Sequence, residues 1–316
     1  MRKFLITACA ILFSYTLFFI YVHSKMVEER DVLLQNENRI LETSYKAVTQ
    51  MFTISIENYF RYAIMQPSVL QILHAVNDTN DTREKAILRG SLYRLLYPFY
   101  NEELKKLGIR QFHFHTTQGE SILRFHSPSE NGDNLMNIRP SIQKANIEKQ
   151  FVAGFEGGRV YPGFRYVFPI IDNKEHLGSV EVSIAYENIE FELAKLLTWS
   201  DHILLFKKSI TTDLVFDSHK HHFMPSVLSD DFVIENQKIS NVTAHSIESE
   251  LTKKINAILK KRYNIEAKLQ EGKNFSIPLV ENNQGYVANF HAIYDLSNTL
   301  AAYAVTYSHL NDLVTI

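Results

Sequence analysis

The stretch SILRFHSPSENGDNLMNIRP, Ser121 to Pro140, and the segment GFEGGRVYPGFR that follows it, Gly154 to Arg165, carry the reading of this chain. Together they set Arg124, His126, Asp133, Arg139, Glu156, Arg159 and Arg165 among strand-like and turn-like residues. Strand periodicity interrupted by glycine turns bends a chain around a concavity, which suits a small-ligand pocket better than an open surface.

Around this stretch the periodicity predicts a hairpin. Ile109 to His115 alternates imperfectly through Ile109, Phe112 and Phe114, Thr117-Gln118-Gly119 makes a turn, and Ser121 to His126 returns. A short helix beginning near Ser141 ends over Asn146 to Phe151. Two strands then run from Arg165 to Ile171 and from Gly178 to Ala185, joined by Asp172-Asn173-Lys174. Before the hairpin, Pro67 ends a long helix, Ser68 to Ala75 is a short one, and Asn77 to Asp81 is a polar turn. Thr82 to Lys106 is helical, with Ile87, Leu88, Leu92, Leu95 and Leu96 on one side. Helices followed by an antiparallel meander are the order of a PAS-like α+β domain.

A second unit repeats that order more weakly. Ile189 to Thr198 is helical, Ile203 to Phe206 and Leu214 to Phe216 are strand-like, and Thr243 to Lys260 is helical. Phe275 to Val280, Tyr286 to Tyr294 and Leu300 to Tyr307 close a meander, and the boundary between the units falls near Ala185 to Glu192.

At the N-terminus, Phe4 to Val22 is an uncharged apolar run of about the twenty residues that a bilayer-spanning helix needs. Arg2 and Lys3 precede it and Glu28 and Glu29 follow, so the positive-inside rule leaves the start in the cytoplasm and the body outside. The run is longer than a signal-peptide core and no small-x-small cleavage site follows it, which favours an anchor. From Lys25 to about Gln66 there is no proline or glycine, and Val27, Leu34, Leu41 and Val48 recur at a spacing of seven. That predicts a helix of roughly 60 Å at about 1.5 Å per residue, a stalk with a pairing seam. Met51, Phe52, Ile56, Tyr59, Phe60 and Ile64 widen the stripe where the helix starts to pack on a domain.

Composition narrows the function classes. Of 316 residues the only cysteine is Cys9, inside the apolar run, so the exported body has neither disulfide nor thiol chemistry. A formal net charge of -2, with no basic stripe interleaved with aromatics, argues against nucleic acid as a partner. There is no G-x-S-x-G elbow, H-E-x-x-H or P-loop, so no enzyme activity and no cofactor is expected.

The residues of the central stretch resemble the double Cache extracytoplasmic sensor domain family, in the branch found in two-component sensor kinases and chemoreceptors. Its phenylalanine-histidine pair is matched by Phe112 and His113. Its next block, a serine, then leucine-arginine-x-histidine-x-proline, glycine-aspartate and an arginine, is matched by Ser121, Leu123, Arg124, His126, Pro128, Gly132, Asp133 and Arg139. Its later glycine-x-glutamate-x-glycine and glycine-x-arginine are matched by Gly154, Glu156, Gly158, Gly163 and Arg165, and its closing glycine-serine-valine-glutamate by Gly178 to Glu181. Asn131 stands where the family usually has an aromatic and Asn134 where a second aspartate is common, which points to a retuned pocket.

The resemblance implies an α+β architecture with a transmembrane anchor over 1–24, a stalk or scaffold helix over 25–66, a membrane-distal Cache domain over 67–188 and a membrane-proximal one over 189–316. Each Cache domain is expected to hold a central antiparallel sheet. The ligand-binding candidates are Arg124, His126, Asp133, Arg139, Glu156, Tyr161, Arg165 and Glu181. Each arginine offers a planar fork that matches a carboxylate. The alternative is that Arg139 and Arg165 pair with Asp133, Glu156 or Glu181 and hold the loops. Tyr161, Phe164 and Tyr166 supply a wall, and carboxylates facing the cavity would suit a ligand amine, so an amino acid would use both sets.

Arg124 and His126 are two residues apart and share a strand face, as do His113 and His115. The latter pair suits a metal, but no third ligand is near it in sequence, so no metal is assigned. His126 has the setting of a half-buried core histidine, and His219, His221 and His222 read as a solvated loop. The expected protein is a sensor in a bacterial inner membrane, with its bulk in the periplasm and pairing as a homodimer through the stalk. Any kinase, cyclase or chemotaxis output lies outside the chain. A non-sensing anchored scaffold is the alternative.

Overall fold

A computed structural model describes residues 2–158, 161–198, 200–236 and 249–314. Helix α1, Arg2–Tyr59, runs unbroken through the apolar segment and on into a π-turn, Phe60–Ile64. It is long and apolar enough to cross a membrane. Its face turns inward gradually: Val27 and Leu34 are half-exposed, while Leu41, Tyr45, Val48, Phe52 and Ile56 are buried at spacings of three and four. The helix therefore meets the body from about Asn38, whose amide bonds Ser276, and not first at Met51, which is itself exposed.

Pro67 opens α2, Pro67–Asp78, at the first turn, where its missing N–H costs nothing. Asp81 caps α3, Thr82–Phe99, by accepting from the N–H groups of Arg83 and Glu84. Pro98 removes a donor near the end of α3, and the chain continues as a π-turn over Tyr100–Leu104 and a 3-10 turn over Lys105–Leu107. The expected helix from Thr82 to Lys106 is thus three helical pieces.

Strands β1, Ile109–His115, and β2, Ser121–Arg124, form the expected hairpin. Helix α4, Pro140–Glu148, stops before Phe151, because Lys149 takes the left-handed conformation. The chain then enters β3, Val152–Glu156, a strand that the glycines of this stretch conceal in the sequence. With β4, Gly163–Asp172, and β5, Glu175–Ile184, it completes a five-stranded antiparallel sheet in the order β2-β1-β5-β4-β3.

Helix α5, Tyr186–Leu196, leads to β6, Ser200–Lys207. Leu214 to Phe216 is not a strand. The strands that follow are β7, Phe223–Pro225, and β8, Phe232–Glu235. Helices α6, Glu250–Arg262, and α7, Ile265–Gln270, precede β9, Phe275–Glu281, β10, Gln284–Tyr294, and β11, Leu300–His309. Of the helix expected over Thr243 to Lys260, residues 243–248 lie outside the described ones. The second sheet has six strands in the order β7-β8-β6-β11-β10-β9.

One core joins α1, α2 and α3 to the inner face of the first sheet and reaches the second through Phe206 and Ile293. Another lies between α6, α7 and the second sheet around Leu259, Leu269, Phe290 and Tyr303. Strand β5 has two faces: Val180, Val182 and Ile184 join the first core, whereas Ser179, Glu181 and Ser183 point to the other side, and all six are buried. Gly178, the fourth residue of this strand, takes φ 128° beside a bulge where β4 and β5 shift register, and a Cβ there would lie 2.1 Å from the His115 carbonyl oxygen. Gly178→Ala is expected to cost about 2–3 kcal/mol in thermal unfolding, since backbone strain and overlap with a main-chain atom act together. A loss below about 0.5 kcal/mol would show that the bulge beside it relaxes freely.

Candidate functional site

The polar face of the first sheet is built by alternation. Gln111, His113 and His115 of β1 share one side, Phe112 and Phe114 the other, and Glu181 of β5 stands directly opposite His113. Arg165 of β4 and Ser183 of β5 are also register partners. The loop from Phe125 to Arg139 folds over this face, tied back where Ser121 exchanges backbone bonds with Asp133 and Gly132, each at 2.9 Å. Beneath the loop is a cavity of about 490 Å³. Gln111, His113, Arg124 and Arg165 line it from the sheet, and Glu130, Asn131, Asp133, Leu135, Ile138 and Arg139 from the loop. His126, Gly158 and Phe216 complete the wall, the last contributed from beyond β6.

All three arginines have carboxylate partners. Arg139 donates from Nε to Glu156 at 2.6 Å and from Nη2 to Glu181 at 2.7 Å. Arg165 donates to the same Glu181 oxygen at 2.9 Å, to the Tyr161 carbonyl at 2.9 Å and to Gln111. Glu156 also accepts from the N–H and hydroxyl of Ser141, both at 2.9 Å, and so holds the start of α4. Arg124 grips Asp133 with two parallel bonds of 2.7 Å and adds the Glu130 carbonyl at 2.9 Å.

The pairs differ in burial. The Glu181 side chain is 0% exposed, whereas that of Asp133 is 52% exposed. Burial pushes the Glu181 carboxyl up, but Arg139 and Arg165 outweigh it and hold it at about 2. Burial presses Arg165 down, and the neighbouring Arg139 adds to that. Asp133 is lowered chiefly by its bonds from Arg124. Burial keeps His113 well below the usual histidine range and His115 at about 3, so both imidazoles are neutral.

Of the residues nominated from sequence, Arg124, His126, Asp133, Arg139 and Arg165 line the cavity, and Glu156 and Glu181 are buried behind Arg139. Tyr161 is not in the wall. Its ring lies 4.3 Å from the Arg110 guanidinium and packs on His222, and only its carbonyl reaches Arg165. Phe164 and Tyr166 belong to the apolar core on the opposite face, as strand alternation from Arg165 requires. His126 is exposed, not a core group. Arg159 lies outside the described residues. Gln111 is legible as the residue two before His113, but Phe216 has no local signature. Among the described residues, His113, His115 and Glu181 have donor atoms within 4.8 Å of one another, the spacing from which a metal ion can be held.

The sequence profile of the family described as "Double sensory domain of two-component sensor kinase" matches residues 34–233, which take in the whole first sheet and the start of the second. No curated protein matches the sequence. Among solved structures, the ligand-binding domain of the Campylobacter jejuni chemoreceptor Tlp3 in complex with L-valine is 12% identical, with 92% of this chain and 98% of that one covered and a TM-score of 0.42. The sensor domain of the V. cholerae histidine kinase DctB is 14% identical, covering 85% and 95% at a TM-score of 0.44. A domain of a sensory box/GGDEF family protein from Vibrio parahaemolyticus is 17% identical, covering 90% and 98% at 0.44.

Proposed function

Since the chain belongs to the family of double sensory domains of two-component sensor kinases, we propose that it is an anchored extracytoplasmic sensor whose first sheet binds a small carboxylate or amino-acid-like molecule. The observation that carries this reading is the cavity, about 490 Å³ of space with a guanidinium whose partner can be exchanged. Arg124 is bound to a half-exposed aspartate, so a ligand carboxylate can replace Asp133 while Asp133 returns to water. The buried Arg139, Glu156, Glu181 and Arg165 set is the rigid floor.

The course of α1 supports the membrane arrangement. From its apolar end it first reaches the second sheet, at Asn38 with Ser276, and meets the first sheet from Tyr45, whose ring lies against both His291 and Phe164. In this reading the second unit is the membrane-proximal one and the body lies in the periplasm. The exposed and half-exposed segment from Lys25 to Asn36 is the seam for a homodimer. A ligand signals by binding one arrangement of sheet and helix more tightly than another.

The test is thermal unfolding of the full-length chain in detergent with amino acids, small organic acids and amines. One class is expected to raise the melting temperature by several degrees. Arg124→Ala should abolish that rise while lowering the unliganded midpoint only slightly, because the Asp133 it leaves behind is half in water and stays solvated. A well-folded protein that no compound stabilises would reject the sensor in favour of a scaffold.

A further inference from the structure

Each of the three side chains His113, His115 and Glu181 has one polar atom engaged and one that is not. His113 Nε2 is 2.8 Å from the Ser121 hydroxyl, and His115 Nδ1 is 3.2 Å from the Ser179 hydroxyl. Glu181 Oε1 takes both Arg139 and Arg165. On the opposite side of each group, His115 Nε2 and Glu181 Oε2 are buried without a hydrogen-bond partner, and His113 Nδ1 stands 4.0 Å from that same Oε2. The residues are 2%, 1% and 0% exposed. Orphaned buried polar atoms are rare because each costs about 1–3 kcal/mol, so two of them on residues whose ligand atoms cluster within 4.8 Å require an explanation.

We propose that His113, His115 and Glu181 hold a divalent transition-metal ion of the zinc type. Two imidazole nitrogens and a carboxylate oxygen are a zinc ligand set, one that leaves a fourth position open. Metal-bound histidines engage their other ring nitrogen in a hydrogen bond that fixes the ring, and Ser121 and Ser179 occupy those positions. For bonds near 2.0–2.1 Å the donors, within 4.8 Å of one another, close to about 3.3 Å on binding.

The surrounding charge constrains the fourth ligand. Arg124, Arg139 and Arg165 face Asp133, Glu156, Glu181 and, at the cavity wall, Glu130, so a divalent ion still leaves the place with an excess of positive charge. An anionic oxygen, hydroxide or carboxylate, must complete the shell. His113 lines the cavity, which gives that oxygen its approach. The metal site stands whether or not the cavity takes an organic ligand.

The experiment loads the full-length chain, in detergent and stripped with a chelator, with zinc or cobalt(II) alone. The expected result is one tightly held equivalent, a cobalt absorption of the four-coordinate type, and X-ray absorption of the zinc form showing two imidazoles. His115→Gln should abolish binding, and Ser121→Ala should weaken it roughly 10–100-fold through the lost support of the His113 ring. A variant in which His219, His221 and His222 are all glutamine should keep it. The site is refuted if the wild-type chain holds no stoichiometric ion, if absorption shows fewer than two imidazoles, if His115→Gln binds normally, or if the triple variant loses the ion. The absorption measurement needs no variant, so misfolding of a mutant does not rescue the proposal.

Discussion

Glu181→Ala is expected to destabilise the protein by about 3–5 kcal/mol, the range measured when one partner of a buried ion pair is removed. The reason lies in how many charges that carboxylate serves. Its side chain is 0% exposed, and one of its oxygens accepts from both Arg139 and Arg165. Without it, among the described residues, Arg165, itself 1% exposed, is left with the Tyr161 carbonyl and the Gln111 side chain, and Arg139 with Glu156. For a chain of this size the midpoint should fall by about 5–8 °C. Glu181→Gln, which keeps the shape and one acceptor but not the charge, should fall between the two.

The sign with pH follows from the depressed carboxyl. Its folded pKa of about 2 lies below the ordinary 4.5, so the stability it contributes is full above about pH 4.5 and is lost as pH falls toward 2. The gap between wild type and Glu181→Ala should therefore shrink in acid. Equal midpoints at pH 7 would show that the arginines find other partners and that Glu181 does not anchor the floor.

Raising the pH from about 4.5 to 8 should destabilise the protein through a second buried group, and Glu235→Gln should remove that loss. Burial, and then the charge of Glu187, push the Glu235 carboxyl from 4.5 up to about 8, while Arg110, 3.5 Å away, opposes them. Glu190 is fully buried and also raised, first by burial and then by Glu235 and Glu187. Arg110, already bound to Glu187, is the cation beside these carboxylates.

Below about pH 4.5 both folded and unfolded chains hold the Glu235 proton, so the group is neutral in effect. Between 4.5 and 8 only the folded state holds it, and stability falls by up to about 1.4 kcal/mol per pH unit. Above about 8 the loss is complete. His113 and His115 work the other way below their ordinary 6.5, since they are depressed in the fold. The measurement is therefore the difference between Glu235→Gln and wild type, near zero at pH 4.5 and largest above pH 8. A difference that is flat with pH would show that Glu235 is ionised throughout.

Several features of the molecule are legible in the amino-acid order alone. The apolar run and the seven-residue repeat are local statements about helix faces, and α1 realises them as one continuous rod. Strand β5 shows its polar face in the bare alternation of Ser179, Glu181 and Ser183 with Val180, Val182 and Ile184. The match of Gly178 to Glu181 to the family's closing block places Glu181 among the candidates, and the glycines and arginines of Ser121 to Arg165 mark the loop that covers it. Other elements are not legible. Strand β3 is hidden by Gly154 and Gly157, and β7 and β8 are three and four residues long, too short for a period to register.

The sequence by itself determined which residues bear the charge and on which face of each strand they stand, because alternation and helical periodicity are properties of a few consecutive residues. Tertiary structure alone decided which carboxylate each arginine takes. It gave Glu181 to Arg139 and Arg165, left Asp133 to Arg124, turned Tyr161 toward Arg110, and brought Phe216 from beyond β6 to the cavity. It also set Glu181 across from His113, joining residues 113, 115 and 181 into one cluster. Those choices depend on the order β2-β1-β5-β4-β3 and on closure of the loop over the sheet, and pairings between segments far apart in the chain leave no local trace.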